Sequence, residues 1–520
     1  MDLAKFNVDY LLVNTTNQFL LEYAPIEENA CHKLTGFTGD TGDSLLTADG
    51  EIFLFVDGRY HTQADNEVDH NKVQVVKLAI GQRQDDEIIA RIKPHTTLGI
   101  DSRKVSQARY EYFKTLLKEI HSEVKLLDIK SEIKSKAGDA VEIPTELTGA
   151  SFEEKVAKIH KPALFTNSEE ISYLCNLRDF SQNFAVKIDG KLFVGNDKSV
   201  LFSPNPDKIK TDKFEVRPLA DFDEFIKGIN EEIIVDKSTI NAHDYALVNN
   251  PKAENSEVKQ MKAVKNDAEI KHLKHCFEMT DKALLATRDY IYNNDNISEL
   301  DIDNELTKNF MKFGAKSLSF KSIVARNQNA ALAHYMKSSK DEIVKDGDLV
   351  LIDCGAYYEG GLATDCTRVF VKGKPSELQR KVYTTVLKMF LNAYNYKMVE
   401  GFTQGFEIDN LARVIAVQNE IKGFEFSHGL GHGIGVCVHE APPNLSKNNI
   451  ARTPIKNHMC FTIEPGLYND EYFGVRLENS CYLEDEAIKS FSDMCYEEKL
   501  IDYSLLNEDE KDMLKEFKVK

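Results

Sequence analysis

Four carboxylates and a histidine-rich loop lie close together near the end of this 520-residue chain. Leu349-Val350-Leu351-Ile352-Asp353-Cys354-Gly355 reads as a buried strand ending in a carboxylate. The chain then returns through Gly360-Gly361 to Thr364-Asp365-Cys366-Thr367-Arg368. Turn glycines permit the reversal, so the two runs are expected to form a hairpin that sets Asp353 beside Asp365. Two carboxylates pushed together in an apolar setting repel unless a cation lies between them. Alone, the pair would equally suit ordinary loop acids. The stretch from Ser427 to Glu440 then places three histidines (His428, His432, His439) and four glycines in the thirteen positions 428–440. No core helix tolerates that glycine density; close backbone approach and positive φ are what such a loop supplies. One or two of the histidines are expected to be functional. Glu464 in Thr462-Ile463-Glu464-Pro465-Gly466 and Glu478 in Arg476-Leu477-Glu478-Asn479 each end a short strand-like run with a buried face, where a bare carboxylate is costly. Two aspartates, one imidazole and two glutamates match two divalent ions bridged by carboxylates, and the imidazole suits Mn²⁺, Fe²⁺, Co²⁺ or Zn²⁺ better than Ca²⁺. Cys354, Cys366 and Cys437 lack the paired spacing of a thiolate zinc site and read as small buried fillers.

Alternating elements must hold these residues. Asn266-Asp267-Ala268-Glu269 and Ser376-Glu377-Leu378-Gln379 are capping-box patterns that open helices. Ile270, Leu273, Phe277 and Leu284 form the apolar stripe of the first, and Leu378, Val382, Val386 and Met389 that of the second. Short strands interleave with them, so residues 258–520 should form an α+β domain. Upstream, Tyr10 to Val13, Ile52 to Val56, Val73 to Val76 and Leu98 to Ile100 alternate with helical stretches, which reads as an α/β domain over 1–140. The pattern lapses between residues 131 and 152, and a second α/β domain follows over 141–257. Asp49-Gly50-Glu51-Ile52-Phe53-Leu54 resembles Asp189-Gly190-Lys191-Leu192-Phe193-Val194, and Ile100-Asp101 resembles Val235-Asp236, so the two domains are expected to be a duplication.

Composition sets outer limits. Net charge is −19, which repels phosphate and argues against nucleic acid or an anionic membrane as the partner. Nine scattered cysteines suit a reducing compartment. With neither a signal-peptide pattern nor a run of about 18 apolar residues, a cytoplasmic protein is expected.

The ordered set Asp, Asp, His, Glu, Glu resembles that of the pita-bread metallopeptidases, and within them the three-domain aminopeptidase P type. Thr35-Gly36-Phe37-Thr38-Gly39, Val56-Asp57-Gly58-Arg59-Tyr60 and Asn176-Leu177-Arg178 extend the likeness to its two creatinase/prolidase N-terminal-like domains. The resemblance implies Asp353, Asp365, His432, Glu464 and Glu478 as ligands of two divalent ions, Mn²⁺ first, with Zn²⁺, Co²⁺ or Fe²⁺ as alternatives. It further implies His334, His439 and Glu464 as catalytic groups, and His428, Tyr468, Arg476, Glu22 and Arg59 around the substrate. The implied reaction removes one residue from peptides with proline second, through a hydroxide bridged between the metals. Rivals are an Xaa-Pro dipeptidase (prolidase), for which Arg476 would hold the product carboxylate, and a non-catalytic peptide-binding homologue. A homodimer is expected from the family alone. One departure stands out: twelve positions separate Asp353 from Asp365 where the family usually has eleven, which puts the hairpin's pairing in question.

Overall fold

The computed structural model describes residues 3–79, 81–129 and 137–520. The chain divides into two compact units. One comprises Met1–Val141, Ser151–Asp179 and Lys187–Val258; the other comprises Glu142–Ala150, Phe180–Val186 and Lys259–Lys520. Part of the expected inter-domain stretch, 131–136, lies outside the described residues.

The first unit is built on two six-stranded sheets. β1 (Tyr10–Val13), β2 (Asp43–Thr47), β3 (Ile52–Val56), β4 (Val73–Lys77), β5 (Thr97–Asp101) and β6 (Glu123–Leu127) lie in the order β4-β3-β2-β1-β5-β6. β7 (Ala163–Phe165), β8 (Lys191–Val194), β9 (Ser199–Ser203), β10 (Glu215–Pro218), β11 (Ile233–Val235) and β12 (Pro251–Ala253) lie in the order β10-β9-β8-β7-β11-β12. Strand order and the sense of every pairing agree between the sheets, so the topology repeats as the sequence suggested.

The sequence comparison itself needs one correction. Leu45 of β2 pairs with Phe53 of β3 as Phe193 of β8 pairs with Val200 of β9. The stretch ending in Val194 therefore corresponds to β2, whereas the stretch ending in Leu54 leads into β3. A polar turn before an apolar strand recurs at both places, and that shared turn chemistry misdirected the match by one strand. The second pair stands. Asp101 accepts the Arg103 amide at 3.1 Å and Asp236 accepts the Ser238 amide at 2.8 Å. Ser106 and Asn241, which cap the helices α1 (Gln107–Glu119) and α2 (Ala242–Leu247), form an antiparallel bridge with each other, as equivalent residues do across a local two-fold.

In the second unit, β13 (Ile323–Arg326), β14 (Leu349–Cys354) and β15 (Cys366–Val371) form an antiparallel sheet with β14 central. Period-two alternation along β14 divides its side chains between two cores. Val350, Ile352 and Cys354 pack with α3 (Asp267–Asn293) and α4 (Glu299–Lys312), whereas Leu349 and Leu351 pack with α5 (Glu377–Tyr394) and α6 (Gly405–Gln418). Asp353 continues the second series, and Cys354 and Cys366 lie on the opposite face as fillers. Both expected capping boxes are present. The stripe of α3 is buried as expected, but that of α5 is shorter: Val382, Val386 and Met389 are fully buried while Leu378, in the first turn, is exposed.

Candidate active site

The site is assembled around the β14–β15 hairpin. Register places Asp353 opposite Thr367 and Cys354 opposite Cys366. Asp365, two residues before Thr367, returns to the same face, so the aspartates are diagonal neighbours rather than the direct partners the hairpin suggested. Glu478 reaches the group from beyond the strand Gly474–Arg476, accepting from Thr367 Oγ1 at 2.8 Å. Glu464 follows the strand Cys460–Ile463, its amide bonded to Leu430 O at 2.7 Å. His432 Nε2 is 3.5 Å from Asp365 Oδ2 and 3.6 Å from Glu464 Oε1. Ligand atoms of Asp365, His432 and Glu478 all lie within 4.8 Å of one another.

His432 Nδ1 faces Gly433 O at 3.0 Å, which fixes the proton there and leaves the Nε2 lone pair toward the acids. Burial, then the neighbouring acids, push the Asp365 and Glu478 carboxyls well above their ordinary range. Asp353 Oδ1, Asp365 Oδ1 and Glu478 Oε1 are buried with no hydrogen-bond partner among the described residues. Orphaned carboxylate oxygens converging beside an imidazole lone pair are costly by themselves and are what divalent cations satisfy, so the donor set fits the expected metals.

A second row holds this set. Arg476, buried, donates from Nη2 to Asp353 Oδ2 at 2.7 Å, from Nε to Thr367 Oγ1 at 3.2 Å and from Nη1 to the Tyr468 hydroxyl at 2.8 Å. Three of its five N–H groups are thereby engaged, which fixes the guanidinium beside Asp353. Tyr468 OH lies 2.7 Å from His428 Nε2, and burial, partly offset by Arg476, pushes its hydroxyl up to about 12. The His439 ring sits 4.4 Å from that of His432, nearly perpendicular to it. His334 is half-buried in the turn after the 3-10 helix Asn327–Ala331, which continues β13; Ile323 of that strand pairs with Asp353. Glu22 and Arg59 belong to the other unit, where Arg59 is held by Asp57 at 2.8 Å and feels the charge of Glu22.

The glycine-rich loop works by close approach, not by left-handed backbone. None of Gly429, Gly431, Gly433 or Gly435 has positive φ. A Cβ at Gly431 would lie 1.9 Å from Thr462 O, and one at Gly433 would lie 1.9 Å from Glu440 O. Thr367 was not anticipated from sequence, although its i+2 spacing from Asp365 signals a shared face. Arg413 of α6, which donates to His428 O at 2.6 Å, carried no signal beyond an ordinary i, i+4 pair with Asp409.

Family models describe the same layout. The metallopeptidase family M24 model matches residues 271–485, and two creatinase/prolidase N-terminal domain models match 31–135 and 132–269. Residues 271–485 are thus similar to the M24 metallopeptidases. A Dictyostelium discoideum relative named Xaa-Pro aminopeptidase 1 is 26% identical, with 95% of this chain and 87% of the relative covered. An X-prolyl aminopeptidase structure from Caenorhabditis elegans, described as a cytosolic enzyme with a di-nuclear active site, superposes with TM-score 0.89 at 22% identity over 98% of this chain and 90% of its own. A Bacillus anthracis Xaa-Pro dipeptidase structure reaches TM-score 0.56 at 26% identity, covering 66% of this chain and 98% of its own. The fold is thus two creatinase-type domains followed by a pita-bread domain.

Proposed function

We infer that the chain is a metal-dependent aminopeptidase that releases the N-terminal residue from peptides with proline in the second position. The observation that carries this reading is the convergence of Asp353, Asp365, His432, Glu464 and Glu478, with three orphaned carboxylate oxygens among them. Relatives named as Xaa-Pro aminopeptidases match nearly the whole chain, whereas the dipeptidase structure spans about two thirds of it.

Two divalent cations, Mn²⁺ in our reading, would be held by those five residues and would supply a water activated at neutral pH together with Lewis acidity toward the scissile carbonyl. Glu464, half-buried at the rim of the set, accepts a proton from the attacking water and passes it to the leaving imide nitrogen. His439 donates to the developing oxyanion, and His334 orients the substrate backbone. His428 and Tyr468 line the substrate side. The free N-terminal amine is received beside Asp353, which limits release to one residue. Proline matters because its amide lacks N–H and restricts the preceding residue, so ordinary peptidase sites reject it.

We set the domain limits at 1–140, 141–257 and 258–520, and read the enzyme as a cytoplasmic homodimer. Nine free, buried cysteines support the reducing compartment. The test is hydrolysis of Arg-Pro-Pro against Gly-Pro by protein of measured metal content. Release of arginine from the tripeptide is expected; cleavage of the dipeptide alone would overturn the assignment. Asp365→Ala should lose metal and activity together, and unchanged values for both would remove the enzyme reading.

A further inference from the structure

Glu299 opens α4 and is fully buried, yet it has no role in the site described above. Its carboxylate receives four donors from one segment of chain. Oε1 accepts the Arg326 amide at 2.6 Å and Asn329 Nδ2 at 2.9 Å. Oε2 accepts the Tyr335 hydroxyl at 2.8 Å and the Ser339 amide at 3.2 Å. The Glu299 amide in turn donates to Glu342 O at 3.1 Å. Among the described residues no cation balances the carboxylate directly, because the Arg326 guanidinium is taken by Glu342 and Asp348. Helices do not need such a residue at their first position. A buried carboxylate is costly unless its lone pairs are satisfied, and here they are satisfied by a loop.

That loop, 327–339, follows β13, carries His334 next to Tyr335 and is fixed by no further strand or α-helix beyond the short 3-10 turn. We propose that Glu299 is a positioning residue that presets His334 for the substrate by clamping both ends of this loop, at the Arg326 amide where it leaves β13 and at the Ser339 amide. The inference rests on the substrate-orienting role given to His334 above. A carboxylate suits the task because both oxygens accept, whereas a glutamine would turn its NH₂ toward two of the four donors.

The experiment measures kcat, KM and bound metal on an Xaa-Pro peptide for Glu299→Gln, His334→Ala and the double variant. Glu299→Gln is expected to lower kcat/KM by about 10- to 100-fold, the scale of a displacement of about 1 Å in a positioned group. Metal content should be unchanged, since none of the five ligands touches Glu299. In the His334→Ala background the same change should cost less than about 3-fold, because coupled residues do not add. A drop that multiplies in the double variant, or a loss of metal, overturns the proposal. Full activity of His334→Ala would instead sink the role of His334 itself, and the proposal with it. Should Glu299→Gln fold poorly, Tyr335→Phe removes one donor beside His334 and must show the same coupling.

Discussion

Glu440→Gln tests the foundation of the histidine loop. Glu440 is 1% exposed, and the lysines facing it, Lys262 and Lys265, are each 3% exposed. Lys265 Nζ lies 2.6 Å and Lys262 Nζ 3.4 Å from its carboxylate, which also accepts the Val436 amide at 2.9 Å. Burial alone would raise the carboxyl's pKa; the two lysines and the amide win, holding it at about 2 against an ordinary 4.5. At about 1.4 kcal/mol per tenfold, that gap corresponds to roughly 3 kcal/mol of native-state stabilisation. It agrees with the roughly 3–5 kcal/mol lost when one partner of a buried pair is removed. At about 2–4 °C per kcal/mol, the thermal midpoint of the catalytic unit should fall by roughly 6–12 °C at pH 7. The sign with pH follows from the depressed value. The contribution is complete above the unfolded carboxyl's range and fades as pH falls through about 4.5 toward about 2. Calorimetry of both proteins in steps from pH 7 to pH 3 should show the gap closing as pH drops. A midpoint shift below about 2 °C at pH 7, or a gap that does not narrow in acid, would refute the assignment of this network as the loop's anchor.

Three other outcomes are expected. Arg476→Lys replaces a planar fork that spans Asp353, Thr367 and Tyr468 with a single ammonium, and should cut kcat/KM by about 100-fold or more while weakening metal retention, measured by elemental analysis after dialysis. Gly433→Ala would put a Cβ 1.9 Å from Glu440 O, and should abolish activity or soluble expression, whereas an alanine at Gly314, where nothing lies within 4 Å but φ is +95°, should cost only about 1–2 kcal/mol in a melt. Chelation should leave the acid cluster self-repelling and lower the thermal midpoint by several degrees, with Mn²⁺ restoring it; an unchanged melt would mean that the orphaned oxygens hold no cation.

Sequence patterning carried far where a signal was local and periodic. The alternation of Leu349 to Asp353 placed one carboxylate at a strand end, and the capping boxes at Asn266 and Ser376 located two helix starts to the residue. What escaped were residues whose meaning depends on a distant partner. Thr367 is an ordinary strand threonine until Glu478 and Arg476 are brought to it, and Glu440 is one of 84 acids until helix Glu257–Ala263 delivers Lys262. The glycines illustrate a third case. Their density announced a site loop, yet its cause is carbonyl proximity from Thr462 and Glu440, which no local pattern encodes.

The extra residue between Asp353 and Asp365 shows how an insertion is absorbed without cost to the chemistry. A single insertion inside a paired strand would turn every later side chain to the opposite face, removing Asp365 from the site. Pairing is in fact continuous from Leu349 with Val371 to Cys354 with Cys366, so the extra residue must be accommodated in the loop beyond. There Tyr357 bridges Ala363, Gly361 takes φ 62°, and the tip is pinned from outside: Tyr358 OH lies 3.0 Å from Thr280 Oγ1 and the Gly360 amide 3.1 Å from His272 Nε2, both on α3. Ala363 then donates to Gly435 O at 2.7 Å, joining the hairpin to the histidine loop. Because α3 fixes the tip and Gly435 fixes the return, the register of Asp365 is set by contacts on both sides of the insertion, and the two aspartates keep a common face whatever the length between them.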